Sequence, residues 1–187
     1  MTAAIKGLDL KDRRNLSRFV GARGCELGVW KGKFSEQLLR NSDCQEFYSI
    51  DRWAGDRGHD KREYLKATRR LKRFGSRSMI LRLEFSEALT LFPDGFFDFV
   101  YIDGYAHTGQ DDGKTIDTWY DKVKPGGCFS GHDYHPDFPL VIKHVDEFVS
   151  KHQLQLYVTQ DKVPSWFVFR PYPKPKVLGE QPAMKSS

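Results

Sequence analysis

The sequence predicts an α/β fold, a doubly wound sheet that is mostly parallel and carries one antiparallel strand in a C-terminal hairpin. Three observations predict it. Short apolar runs alternate along the chain with segments of helical period. One run, "FFDFVYID" at 96–103, is almost continuously apolar, as a strand buried on both faces requires. The last two runs, "LQLYVTQ" and "SWFVF", are separated only by "DKVP", close enough to pair as a hairpin.

The elements follow in order. "LDLKDRRNLSRFV" is a short N-terminal helix candidate. "RGCELG" is the first strand and leads into the helix "KFSEQLLRN", where Phe34, Leu38 and Leu39 share a face. "EFYSID" is the second strand, ending in Asp51. The turn-rich "RWAGDRGHD" follows, then the helix "KREYLKATRRLKRFG", with Tyr64, Leu65, Thr68 and Leu71 on one side and Gly75 at its end. "SMILRLEF" is the third strand and "SEALTLF" a short helix; "PDG" turns the chain into the buried run. The helix "GKTIDTWYDKV" then meets "KPGG", a turn feeding the strand "CFSGHDY". Pro139 opens a last helix, lined on one side by Val141, Val145, Phe148 and Val149.

At 187 residues the chain suits one domain, expected over 1–170, with "PYPKPKVLGEQPAMKSS" (171–187) as an extended tail. An aromatic share of 14% excludes a disordered chain. Net charge is +5, short of the density of dedicated nucleic-acid binders. Cys25, Cys44 and Cys128 follow no zinc or disulfide spacing and read as free thiols. With no signal or membrane-spanning segment in view, a cytoplasmic protein with no membrane partner is expected.

In such folds ligands sit at the C-terminal ends of the strands, and "CELGVWKGKF" follows the first strand. A nucleotide triphosphate loop needs G-x-x-x-x-G-K-[ST]; here the spacing is one residue short and the hydroxyl is missing. The dinucleotide fingerprint also fails, because the glycines at 24, 28 and 32 are four apart. Glu26 would repel a phosphate and suits a positively charged ligand, such as an amine or a sulfonium. Asp51 ends the second strand 23 residues after Gly28, where a carboxylate can accept both hydroxyls of a ribose. Phe85, after the third strand, offers a ring to adenine. A nucleoside without phosphates, S-adenosylmethionine (SAM), fits all three.

Four motifs then stand in register: Glu26 to Phe34 ("E-x-G-x-x-x-G-x-F"), Ser49 to Trp53 ("S-I-D-x-W"), Asp98 to Gly104 ("D-x-V-Y-I-D-G") and Lys124 to Tyr134 ("K-P-G-G…D-Y"). From about Arg23 to Arg170 the chain resembles the class I SAM-dependent methyltransferases, in their small O-methyltransferase-like branch. The resemblance implies a Rossmann-like sheet with the first strand central and the hairpin at one edge. It implies Glu26 and Gly28 near the methionine portion, Asp51 on the ribose, Phe85 near adenine and Asp103 facing the reaction centre. Trp30 joins the cofactor-binding candidates, although packing is the commoner role for such a ring. Trp53, next to Asp51, is the better expected pocket wall.

A sulfonium methyl is already activated, so the protein must align an acceptor and take its proton. The loops "IDGYAHTG" and "GHDYH" follow strands expected to be adjacent. His132 or His107 could serve as general base beside Asp103. Alternatively, Asp103, His132 and Asp133 could hold a divalent metal such as magnesium, as in the macrocin- and novobiocin-type sugar O-methyltransferases that the loops resemble. Here His132 stands in place of an acid and Tyr105 replaces another, which favours a softer metal or none.

The expected function is O-methylation of a small polar hydroxyl acceptor, with a sugar or glycan the best match. A second subunit could complete the open acceptor side as a homo-oligomer. Two alternatives compete: nucleic-acid methylation through the basic helix 61–74, and a noncatalytic module that binds the cofactor and a partner. No aromatic residues interleave the basic ones in stacking order, so a solvated face is the ordinary reading.

Overall fold

Among the described residues of the computed structural model, 8–55 and 58–173, seven strands form one sheet. They are β1 (Arg23–Leu27), β2 (Glu46–Ile50), β3 (Ser78–Leu81), β4 (Phe97–Ile102), β5 (Val123–Gly131), β6 (Tyr157–Val158) and β7 (Trp166–Phe169), in the order β3-β2-β1-β4-β5-β7-β6. Neighbours pair in parallel from β3 to β5, while β7 runs antiparallel to both β5 and β6. The reversed strand and the edge hairpin are those the sequence predicts. The expected tail lies outside the described residues from 174 on.

The alternation of β4 explains the two layers. Val100 and Ile102 pack into one core with Trp119, Val141, Val145 and Phe148, from α5 (Lys114–Tyr120) and α6 (Pro139–His152). Phe99 and Tyr101 face the other way, into a core with Leu16, Phe34, Leu38 and Leu71. That second layer holds an N-terminal 3-10 helix (Arg13–Phe19), α1 (Lys33–Arg40) and α2 (Lys61–Leu71). With every β4 side chain but Asp98 fully buried, the strand cannot face water on either side. Cys25, Cys44 and Cys128 are buried free thiols, and no helix among the described residues is long and apolar enough to cross a membrane.

Three local details differ from the expectation. The N-terminal segment is a 3-10 helix capped by Asp12, whose carboxylate accepts the Arg14 amide. "KPGG" lies inside β5 as a bulge: the pairing jumps from Phe97–Val123 to Phe99–Cys128, so the extra residues loop out before the ladder resumes. Between β4 and α5, after α3 (Phe85–Leu89), a short turn α4 (Gly109–Asp112) is wound left-handed. Gln110, Asp111 and Asp112 have φ of 59°, 60° and 52°. This turn packs on α6, so closely that a Cβ on Gly109 would lie 2.5 Å from the His144 ring.

Candidate active site at the strand ends

The C-terminal ends of β1, β2 and β4 open onto one cleft, lined by Gly28, Asp51, Phe85, Asp103, Gly104 and Tyr105 among others. Backbone bonds from Gly28 N–H to Ile50, Asp51 N–H to Leu81 and Asp103 N–H to Leu27 extend the ladder by one step past each strand. Asp51 and Asp103 therefore emerge where the sheet stops. Gly28, at φ 92°, lets the first turn lie against the next one: a Cβ there would overlap the Asp103 carbonyl oxygen. Gly104 has the Phe85 ring where its own Cβ would be, at 2.8 Å. Phe85 is buried and meets Tyr105 edge to face.

Asp51 lines the cleft but also organises it. One carboxylate oxygen accepts the amides of Val29 and Trp30 at 3.0 and 2.9 Å, and the other accepts Trp53 N–H at 2.9 Å. His59 Nδ1 stands 2.7 Å from the first oxygen. Burial pushes this carboxyl up, but His59 and the amides together hold it below the ordinary range. Across the cleft, Glu84 takes Arg52 at 2.7 Å and the Tyr105 hydroxyl at 3.0 Å.

Glu26 sits beneath the turn. It is 1% exposed and accepts the Ser35 hydroxyl, itself hydrogen-bonded to Ser49. Burial raises its carboxyl to about 8, so the group is mostly neutral at pH 7. The negative charge that the sequence predicts at Glu26 is therefore mostly absent at pH 7.

Asp103, His132 and Asp133 come together in a second group. Adjacent strands β4 and β5 deliver them, and His132 N–H extends the ladder to Ile102. His132 Nδ1 lies 2.9 Å from Asp133 and 3.4 Å from Asp103. Burial pulls the imidazole down, but hydrogen bonds to Asp103 and Asp133 outweigh it and raise it to about 9. One ligand atom from each of the three residues falls within 4.8 Å of the others, a spacing that fits a cation. The other Asp103 oxygen is taken by Arg13 at 3.1 Å.

His107 is not drawn into this group. It is exposed, with its ring against Phe138, 5.4 Å between centroids. Neither loop tryptophan is among the residues that line the cleft. Trp53 is 1% exposed, donates its indole N–H to the Trp30 carbonyl at 2.8 Å and sets its ring against Tyr64. Trp30 is 43% exposed, stacked near His59 and covered by Lys31. Much of the basic segment 61–77 is structural: Arg70 and Arg73 pair with Glu36, and Arg77 donates to the carbonyls of Leu39, Ser42 and Cys44.

Arg13 is the site residue that sequence reasoning misses. "KDRRN" gives no sign of which arginine turns inward; Arg14 is held outside by Asp12.

A family model described as a methyltransferase domain matches residues 25–134. The fold is similar to that of a protein from Corynebacterium glutamicum, with a TM-score of 0.67 at 11% identity, covering 90% of this chain and 85% of that one. An O-methyltransferase from Bacillus cereus, in complex with SAH, gives 0.61 at 11% identity, covering 83% and 77%. An O-methyltransferase from Streptomyces achromogenes involved in tomaymycin synthesis, in complex with SAM, gives 0.60 at 14% identity, covering 84% and 77%. No curated protein matches the chain by sequence.

Proposed function

The chain belongs to this methyltransferase family, and on that premise we propose that it binds SAM in the cleft and methylates a hydroxyl of a small polar acceptor. A sugar or glycan suits the pocket best. The observation that carries this reading is the convergence of Asp103, His132 and Asp133 beside a cleft that ends in Asp51 and Phe85. Such a group accepts a hydroxyl proton and holds an alcohol by hydrogen bonds. The ribose falls to Asp51, adenine to Phe85 and the methionine portion to the turn at Gly28.

The acceptor hydroxyl gives its proton to the neutral form of His132 as its oxygen attacks the methyl carbon. The carbon–sulfur bond breaks and the electron pair leaves on sulfur as the neutral thioether. Asp103 and Asp133 orient the imidazole and stabilise the imidazolium that forms. Holding these three half-buried groups in place on adjacent strand ends lowers the cost of aligning the acceptor.

A metal-assisted version is favoured by the same spacing. Asp103, His132 and Asp133 would hold a divalent cation, which when bound acidifies a coordinated hydroxyl. His132 must then lose its proton to become a ligand, and Asp103 keeps one oxygen on Arg13.

Transfer of a labelled methyl from SAM to a panel of free sugars and glycans, with and without chelator, tests both versions. Turnover that survives chelation supports the histidine base, and turnover restored only by metal supports the cation. Absence of calorimetric binding to SAM would sink both.

A further inference from the structure

We propose that Arg13 recognises the carboxylate of the cofactor's methionine portion, so that Arg13 and Asp103 together read the two charges of that amino-acid head group. The inference rests on the SAM-binding reading above and adds a residue outside the matched segment 25–134.

The N-terminal 3-10 helix carries Arg13 and is pinned in place. The Arg13 amide donates to the Asp161 carboxylate at 2.7 Å, and the Leu10 carbonyl accepts Gln160 N–H at 3.0 Å. Both partners lie in the turn between β6 and β7. The guanidinium crosses to the ends of β1 and β4, with its carbon 4.7 Å from the centre of the Phe34 ring. There Nη1 donates to Asp103 at 3.1 Å and to the Tyr101 hydroxyl at 3.4 Å. The hydroxyl is itself bonded to Ser165 at 2.7 Å.

Among the described residues only Nη1 is engaged in hydrogen bonds. Among the described residues no group takes Nε or Nη2, and the side chain is 31% exposed. Those two nitrogens form the edge that binds a carboxylate with two parallel hydrogen bonds. An α-amino acid carries its ammonium and carboxylate on one carbon, so its complement is an anion and a cation side by side. Asp103, which lines the cleft, and Arg13, 3.1 Å from it, are such a pair.

The test compares SAM with its decarboxylated form, which keeps the sulfonium, amine and nucleoside but lacks the carboxylate. The wild-type protein should bind SAM about 10- to 100-fold more tightly than the decarboxylated form. Arg13→Met should erase that preference by weakening SAM while leaving the decarboxylated form within about twofold, and Arg13→Lys should restore part of it. A preference retained in Arg13→Met overturns the inference. So does an equal loss for both ligands in Arg13→Met and Arg13→Lys proteins whose circular dichroism matches wild type. Failure of the wild-type protein to bind either ligand overturns the cofactor reading, and this inference with it.

Discussion

The Nδ1 atom of His132 lies 2.9 Å from Oδ1 of Asp133. Asp103 lies 3.4 Å from the same nitrogen, and the two carboxylates together raise the imidazole to about 9, well above its ordinary 6.5. The methyl-transfer rate should therefore rise with pH through neutrality, with its inflection near 9 and its plateau above that, as the neutral base becomes populated. Asp133→Asn removes one of the two anions and should move that inflection toward neutral pH. A folded value above the unfolded one also means that the proton on His132 favours the folded state. That contribution is whole below about 6.5 and is lost as pH rises through about 9. Rate profiles and imidazole NMR titrations of wild type and variant check both statements.

Glu26 carries the opposite lesson for stability. Its carboxyl moves from 4.5 in the free group to about 8 when folded, so ionisation opposes folding across that window. Stability should fall between those two values as pH rises. Glu26→Gln keeps a neutral group able to meet Ser35 and should flatten the fall, gaining on the order of 1 kcal/mol over wild type at pH 9. Urea unfolding at a series of pH values reads it. A variant less stable than wild type at pH 9 would refute the assignment.

Gly28→Ala should be the most damaging single methyl in the cleft. The position combines a φ of 92° with direct contact on the Asp103 carbonyl, so the turn or the strand end must move. A loss of about 2–3 kcal/mol in folding stability is expected, together with loss of SAM binding. Calorimetric unfolding and binding on the same sample separate the two effects.

Arg77 lies just beyond the basic helix 61–74, and its guanidinium donates to the carbonyls of Leu39, Ser42 and Cys44. Arg77→Met should destabilise the fold by about 1–3 kcal/mol through those orphaned acceptors. Weak binding of nucleic acid at low salt should be unchanged. A loss of binding without a loss of stability would restore the polyanion reading.

What could be read from the sequence was what depends on strand ends. Asp51 and Asp103 close apolar runs, and in a parallel sheet a polar residue at that point must reach the crevice. Asp103 and His132 could be paired because their strands could be placed side by side. What escaped depends on backbone turns and on contacts far apart along the chain. Which of Trp30 and Trp53 is buried depends on how their two loops meet, with the Trp53 indole reaching back to the Trp30 carbonyl. The inward path of Arg13 is set by Asp161, 148 positions away. Glu26 was legible as an acid just before the right turn, but its neutrality comes from burial that only the folded layers supply.

The left-handed turn Gly109–Asp112 makes handedness itself an engineering variable. Three residues of ordinary chirality are held there in the mirror-image conformation, costing about 1 kcal/mol or more each. Mirror-image amino acids, introduced by chemical synthesis at Gln110, Asp111 and Asp112, should raise the melting temperature where they would break any right-handed helix of the protein. The same three positions would serve as a chirality probe of the fold: a synthetic chain that melts higher with inverted residues there has formed this turn.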